Sequence, residues 1–173
     1  MKKLTISLES IEAIVFDFDG VLTYNKVYLN QDGKESVSCS RADGLAFDVL
    51  RKLQKSVYIL STERNPVITA RAKKLKIPAI QSVNNKADGI KQLAKKEVFD
   101  LQKTLYIGND LNDYHAMQLC GYTACPSDSH NKIKEISAIV LETTGGNGIV
   151  RELLEVFFQL DFMKILYTKK EEK

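Results

Sequence analysis

IEAIVFDFDGVLT, residues 11–23, is the stretch of sequence that decides the fold. Its first six residues form an apolar run of the kind that predicts a buried strand. Two aspartates, Asp17 and Asp19, follow that run one residue apart. Carboxylates at the edge of an apolar core are costly unless something pairs with them. The stretch therefore predicts a buried strand that ends in a functional site.

Strand and helix patterns alternate along most of the remaining chain. Further strands are predicted at residues 56–61, 77–82, 104–108, 121–126 and 137–142. Helical patterns lie between or after them, at residues 43–55, 65–76, 86–97, 111–120 and 147–160. This alternation predicts an α/β fold of the Rossmann-like type, a doubly wound parallel sheet with helices on both faces.

One segment departs from the alternation. Residues 26–40 read as two short strands joined at Asp32-Gly33, which is a hairpin turn signal. The chain shows no internal repeat, no low-complexity linker and no room for a separate cap domain. We therefore expect residues 1–173 to form a single domain, with a β-hairpin insertion at 26–40 and a flexible tail at 165–173.

Composition narrows the classes of protein to consider. The chain is 44% hydrophobic and 27% charged, with a net charge of +3 and its lysines and arginines dispersed. A nucleic-acid partner is not expected, because such proteins cluster their basic residues. Cys39, Cys120 and Cys125 have no metal-ligand spacing and are expected to be free thiols in a reducing compartment. No signal-peptide pattern or membrane-length apolar run is present, so we expect a cytoplasmic protein without a membrane partner.

Polar clusters follow several of the predicted strands. They are Asp17 with Asp19, residues 61–64 (STER), Lys86, and residues 108–113 (GNDLND). In an open parallel sheet, ligands bind beyond the carboxyl ends of the strands, so these clusters are expected to converge. Grouped carboxylates suit Mg2+, and a lysine with a hydroxyl suits phosphate. Together they predict phosphoryl transfer, in which an aspartate can act as the nucleophile.

In order and spacing, the four clusters resemble the motifs of the haloacid dehalogenase-like (HAD) phosphatases. DFDGVLT resembles the first motif, ILST the second, Lys86 the third and GNDLND the fourth. The resemblance covers residues 11–160 and implies the HAD fold, phosphatase activity and Mg2+ as cofactor.

A closer resemblance is to a capless branch, the 3-deoxy-manno-octulosonate 8-phosphate phosphatases. It is carried by GGNGIVRE at 145–152 and RADGLAFDVL at 41–50. LSTERNP, residues 60–66, is similar to the subset associated with acylneuraminate cytidylyltransferases, which handle nine-carbon sugars. This resemblance implies a homotetramer in which hairpins and C-terminal segments close neighbouring active sites. Gly145 and Gly146 are then expected to form a flexible turn that lets the last helix and tail approach another subunit.

The resemblance also implies roles for the first and fourth motifs. Asp17 would be the nucleophile, and Asp19 the general acid and then the base that activates water. Mg2+ would be held by an Asp17 side-chain oxygen and the Asp19 backbone carbonyl. In most of the superfamily an aspartate ligand stands where this chain has Asn109. Either Asn109 or the following Asp110 is expected to complete the metal shell, and the sequence leaves both open.

The remaining candidates would bind phosphate or sugar. Lys86 is expected to neutralise the phosphoryl group. Thr62 is expected to donate to it, with capping of the next helix as an alternative role. Glu63 would accept hydrogen bonds from sugar hydroxyls, and Arg64 would pair with a sugar carboxylate.

Three further residues are expected to reach substrate, in their own or in a neighbouring subunit. They are Arg41, Asp43 and Arg151; a helix-surface role is the alternative for Arg151.

The motifs predict a Mg2+-dependent phosphatase, and the resemblance implies as its small-molecule substrate a phosphorylated eight- or nine-carbon 3-deoxy keto-sugar acid that feeds surface-polysaccharide synthesis. Two alternatives stay open. One is a weakly active or inactive HAD-like module that partners an acylneuraminate cytidylyltransferase, favoured by Asn109. The other is a nucleic-acid end phosphatase, which the dispersed charge disfavours.

Overall fold

A six-stranded sheet, all of whose neighbouring strands run parallel, organises the computed structural model, which describes residues 6–168. The sheet strands are β1 (Ala13–Phe16), β4 (Ser56–Leu60), β5 (Ala79–Ile80), β6 (Thr104–Ile107), β7 (Tyr122–Cys125) and β8 (Ile139–Val140). Their order across the sheet is β5-β4-β1-β6-β7-β8. The predicted α/β fold is confirmed.

The helices lie in two layers, one on each face of the sheet. They are α1 (Arg41–Lys52), α2 (Pro66–Leu75), α3 (Lys86–Glu97), α4 (Tyr114–Leu119), α5 (Asn131–Ile136), α6 (Ile149–Glu152) and α7 (Phe162–Tyr167). Ser40 caps α1, Asn65 caps α2 and Asn85 caps α3, each accepting a hydrogen bond from a backbone N–H of the first turn.

The alternation of side chains along the strands divides the core between the two faces. In β1, Ile14 and Phe16 pack into one cluster, with residues of α1, α2, α6 and α7. Ala13 and Val15 pack into the other, with residues of α3, α4 and α5. Because all four β1 residues are buried, the strand reads as a continuous apolar run.

The direction in which the chain crosses the sheet reverses beside β1. From β1 the chain moves to β4 and β5 on one side, and then returns to β6 on the other. Phe16 at the end of β1 stands level with Ile59 of β4 and Ile107 of β6. The loops after these strands therefore share one edge at the switch point of the sheet, where such folds bind ligands.

A two-stranded antiparallel hairpin, β2 (Tyr28–Leu29) and β3 (Glu35–Ser36), rises from this edge within residues 26–40. Its base is tied to the body by an isolated bridge between Thr23 and Cys39.

The end of the chain differs from the sequence prediction. The single helix expected at 147–160 is instead α6 followed by a π-helical turn, Leu153–Phe157, and a break before α7. Ile165 and Leu166, in the segment predicted as a flexible tail, belong to α7 and pack against the core. The rest of that predicted tail, residues 169–173, lies outside the described residues.

Across residues 6–168, the structure contains no helix long and apolar enough to cross a membrane.

Candidate active site

Asp17 lies at the switch point because β1 ends immediately before it. Its backbone N–H donates to the Ile107 carbonyl at 2.9 Å, which continues the pairing of β1 with β6 for one more residue. Its side chain is buried, and Oδ1 accepts a hydrogen bond from the Phe18 N–H at 2.7 Å. The carboxylate is therefore held in place by the sheet edge itself.

Lys86, the residue of the third predicted motif, forms an ion pair with the Asp17 carboxylate. It is the first residue of α3, and its side chain is completely buried. Its Nζ lies 2.7 Å from Asp17 Oδ1 and 2.7 Å from Asp113 Oδ1. One ammonium thus bridges two buried carboxylates that come from the ends of β1 and β6.

Asp113 is the centre of a hydrogen-bond network that joins the third and fourth motifs. Besides Lys86, its Oδ1 accepts a hydrogen bond from the Tyr106 hydroxyl at 2.9 Å. Its Oδ2 accepts from the backbone N–H groups of Asn109 at 3.0 Å and Asp110 at 3.3 Å. Asp113 and Tyr106 were absent from the predicted site. The only sequence signal was the position of Asp113 inside GNDLND.

Burial and charge shift the ionisation of the three central groups. Burial and the neighbouring Asp113 carboxylate raise the pKa of Asp17, with Lys86 opposing them. Burial alone would lower the pKa of Lys86, but Asp17 and Asp113 outweigh it and raise the pKa above its ordinary value. Burial and the nearby Glu63 carboxylate raise the pKa of Asp19. Asp19 therefore keeps its proton to a higher pH than an exposed aspartate, as a general acid requires.

A cavity of about 610 Å³ opens above Asp17. Six of the predicted site residues line it: Asp17, Asp19, Thr62, Glu63, Asn109 and Asp110. Hairpin-side residues that were not predicted also line it: Tyr24, Asn25, Lys26, Val27, Glu35 and Val37. The volume falls in the range of small-molecule sites.

The alternative role of Thr62 as a helix cap does not hold. Asn65 caps α2, its side chain accepting from the Val67 N–H at 3.0 Å. Thr62 instead lies in the cavity wall.

The donor set of the cavity fits a divalent cation. Asn109 is buried, and its Oδ1 has no hydrogen-bond partner among the described residues. By contrast, Asp110 Oδ1 accepts a hydrogen bond from the Leu111 N–H at 2.7 Å. Between residues 6 and 168 no group of three or more His, Cys, Asp or Glu side chains that could hold a metal ion is found. A buried amide oxygen beside carboxylates is a suitable ligand for a hard cation.

Other predicted contacts lie elsewhere on the chain. Arg64 lines an adjoining depression with Asn65 and Gln81, and it is not among the residues that line the cavity around Asp17. Arg41 is exposed at the start of α1 and is not among the cavity residues. That these arginines bind substrate stays a prediction, since neither lines the cavity of its own chain.

Asp43 and Arg151 have structural partners within the chain. Asp43 is buried, and its Oδ1 accepts from the backbone N–H groups of Val150 at 2.9 Å and Arg151 at 3.2 Å. The Arg151 guanidinium lies over the ring of Phe162, 4.8 Å from its centroid, and forms an ion pair with Glu155. Within the chain these two residues fasten α6 to α1 and α7, and their contact with substrate stays a prediction.

Comparisons with known proteins identify the class of enzyme. Residues 52–153 match the family profile of haloacid dehalogenase-like hydrolases, and the chain belongs to that family. It is a phosphoric monoester hydrolase.

Two solved structures illustrate the similarity. A Streptomyces avermitilis protein described as an HAD-family hydrolase is 37% identical, with a TM-score of 0.85 and 88% of each chain covered. The 3-deoxy-D-manno-octulosonate 8-phosphate phosphatase of Moraxella catarrhalis, solved with a magnesium ion, a phosphate ion and a KDO molecule, is 28% identical. Its TM-score is 0.82, with 87% of each chain covered.

Two relatives are also similar in sequence. The 3-deoxy-D-manno-octulosonate 8-phosphate phosphatase of Haemophilus influenzae is 29% identical over 153 residues, which cover 88% of this chain and 85% of the relative. N-acylneuraminate cytidylyltransferase A of Danio rerio is 24% identical over 169 residues, which cover 95% of this chain but 37% of that longer protein.

Replacing the bridging lysine should destabilise the fold. In Lys86→Met, two buried carboxylates lose their counter-ion, and we expect the free energy of unfolding to fall by about 3 kcal/mol or more. Urea denaturation at neutral pH measures this. Lys91→Met, an exposed lysine of the same helix, is the control and should change stability by less than about 0.5 kcal/mol. Equal losses in the two variants would contradict the structural role of Lys86.

Asp43 should make stability depend on pH. Burial raises the pKa of Asp43 to about 6, against the opposing backbone N–H groups and arginines. Because this folded value lies above the unfolded value of about 4, the native state binds the extra proton, and stability falls as pH rises from about 4 to about 6.

The variant Asp43→Asn should remove that fall. Its amide can keep the Oδ1 contacts and offers a donor where Asp43 Oδ2 has no partner. Its stability relative to wild type should therefore increase across this pH range, by up to about 3 kcal/mol. Urea denaturation at several pH values measures the difference, with Asp32→Asn at the exposed hairpin turn as control. A difference that stays constant with pH would contradict the account.

Proposed function

We propose that the chain is a cytoplasmic, Mg2+-dependent phosphatase that hydrolyses a phosphorylated 3-deoxy keto-sugar acid through an aspartyl-phosphate intermediate. The candidate substrates are an octulosonate 8-phosphate and a nine-carbon ulosonate 9-phosphate. One observation carries the proposal: Lys86 bridges Asp17 and Asp113 beneath a cavity whose walls include Asp19, Thr62 and Asn109. Such a site needs only to position the phosphoryl group and neutralise its charge.

Asp17 is the proposed nucleophile. Its carboxylate attacks phosphorus and the sugar oxygen departs, so that one P–O bond forms while another breaks. The Lys86 ammonium, 2.7 Å from Asp17 Oδ1, reduces the repulsion between the carboxylate and the phosphate. Thr62, in the cavity wall, is the proposed donor to a phosphoryl oxygen.

Asp19 is the proposed acid and base. Its raised pKa favours the protonated form that donates a proton to the departing sugar oxygen. The resulting carboxylate then accepts a proton from the water that hydrolyses the aspartyl-phosphate. The Thr23 hydroxyl lies 3.5 Å from Asp19 Oδ1 and helps to orient it.

The proposed metal ligands are the Asp17 side chain, the Asp19 backbone carbonyl and Asn109 Oδ1. Bound Mg2+ would supply charge neutralisation at the phosphoryl oxygens. The unpartnered, buried Asn109 Oδ1 supports Asn109 over Asp110 as ligand. Because an amide carries no charge, we expect weaker metal affinity than an aspartate at this position would give.

The proposed substrate class follows from similarity and from the cavity wall. The relatives named octulosonate phosphatases supply the class of sugar acid. Glu63 lines the cavity and can accept hydrogen bonds from the hydroxyls of a longer sugar. This supports the nine-carbon substrate and the subset associated with acylneuraminate cytidylyltransferases.

A homotetramer is part of the proposal. The hairpin residues Val27, Tyr28 and Leu29 are between 55% and 69% exposed, and Met163 of α7 is 69% exposed. Exposed apolar patches of this kind are typical of association surfaces. Their positions on the hairpin and near the C-terminus fit assembly through these two segments.

The chemistry can be tested on an aryl phosphate. Asp17→Asn should abolish Mg2+-dependent phosphate release, because an amide cannot form the aspartyl-phosphate. Circular dichroism should show that the variant keeps its fold, and Asp32→Asn should retain wild-type activity. Steady-state turnover in Asp17→Asn would refute the nucleophile assignment.

A second candidate function is a weakly active or inactive module that associates with a cytidylyltransferase. It is favoured by the neutral Asn109 at the proposed metal position and by the similarity to the Danio rerio cytidylyltransferase. Wild-type protein that releases no phosphate from any substrate, with or without Mg2+, would favour this alternative.

The role of Glu63 can be tested by its removal. Glu63→Gly should shift the ratio of kcat/KM toward the octulosonate phosphate by about tenfold, the value of one or two lost hydrogen bonds. Hydrolysis of the aryl phosphate should stay unchanged and serves as control. An unchanged ratio between the two sugar phosphates would contradict the assignment.

A further inference from the structure

The turn formed by Gly145, Gly146 and Asn147 lies directly against the loop that carries Asp19. The Gly146 N–H donates to the Val21 carbonyl at 2.9 Å. Both glycines are buried. The structure packs this turn against residues 20–24 of its own chain.

The contact is so close that only glycine fits. A Cβ atom on Gly145 would lie 2.0 Å from the Gly20 carbonyl oxygen, and one on Gly146 would lie 2.2 Å from the Tyr24 nitrogen. Gly146 also has a φ of +72°, which side chains other than glycine rarely adopt. Since backbone atoms stand in the way, no side-chain rearrangement relieves either clash.

The turn and the residues before it are also anchored to other parts of the chain. Asp128 Oδ1 accepts from the Gly145 N–H at 2.9 Å. The Glu152 carboxylate accepts from the N–H groups of Glu142 at 2.7 Å and Thr143 at 2.8 Å. Because these hydrogen bonds fix the turn in place, the turn can restrain the adjacent loop of residues 18–24.

A side-chain contact extends this support to the cavity wall. Asn147 Nδ2 donates to the Tyr24 hydroxyl at 2.7 Å. Tyr24 lines the cavity at the point where the chain leaves the Asp19 loop for the hairpin.

We propose that Gly145, Gly146 and Asn147 are positioning residues that hold the loop of residues 18–24, so that Asp19 stands where it can protonate the leaving oxygen. The inference rests on the proposed function, because it assumes the acid role of Asp19. Displacing a catalytic group by about 1 Å can cost about a hundredfold in rate.

The test uses two substrates that differ in their need for an acid. An alkyl phosphate, such as the preferred sugar phosphate, has a poor leaving group that requires protonation. The aryl substrate p-nitrophenyl phosphate has a good leaving group that does not. Since kcat/KM reports the step in which the leaving group departs, the ratio of the two values measures the acid's contribution.

Gly145→Ala should lower kcat/KM for the alkyl phosphate at least tenfold more than for the aryl phosphate. Asp19→Asn should show the same selective loss and is the reference. Gly44→Ala introduces the same methyl group in α1 where, apart from its chain neighbours and the backbone of that helix, no described atom lies within 4 Å, and should leave both values unchanged. Equal losses on the two substrates in Gly145→Ala, with a selective loss in Asp19→Asn, would overturn the inference alone. Equal losses in Asp19→Asn would overturn the acid role, and the inference with it.

If Gly145→Ala does not fold, Asn147→Ala carries the test, because it leaves the backbone contact intact. Amide hydrogen exchange in residues 18–24 should become faster, and the alkyl-to-aryl ratio of kcat/KM should fall at least threefold. Unchanged exchange and an unchanged ratio would overturn the inference whether or not the proposed substrate is correct.

Discussion

The interaction on which the site depends is the buried ammonium of Lys86 between the carboxylates of Asp17 and Asp113. Charges so deeply buried are costly to keep unpaired, so each of the three groups fixes the other two. The pairing joins the end of β1 to the start of α3 and to the loop after β6. It thereby brings together segments nearly one hundred residues apart in sequence. In the proposed function, the same cation that stabilises this end of the fold also neutralises a phosphoryl group.

The sheet supplies the place where this pairing occurs. Because the strand order reverses beside β1, the loops after β1 and β6 separate and leave a cavity between them. The GGNGIVRE segment, residues 145–152, supports the site from outside the cavity. Gly145 and Gly146 pack against residues 20–24, and Asp43 accepts a hydrogen bond from the first turn of α6. The cavity is thus built by contacts distant from it as well as by the residues that line it.

Much of the fold could be predicted from sequence, because strand burial and helix periodicity are local signals. The α3 prediction, residues 86–97, matches the structure, and β1 lies where its apolar run indicated. The break after Phe157 was missed because the apolar period continues through it. Convergence of Asp17, Thr62 and Asn109 followed from strand order. The positions of other side chains could not be predicted from strand order: Arg64 lines another depression, and Asp43 caps a helix. The partnership of Asp113 with Tyr106 depends on tertiary contacts that no local pattern encodes.

The most direct test of the central claim is phosphate release by the wild-type protein, with Mg2+ and with a chelator. The panel would contain octulosonate 8-phosphate, a nine-carbon ulosonate 9-phosphate, a hexose phosphate and a short 3′-phosphorylated oligonucleotide. The account predicts Mg2+-dependent release with a clear preference for one of the two keto-sugar acids. Release that is independent of Mg2+, or a preference for the hexose phosphate or the oligonucleotide, would contradict it.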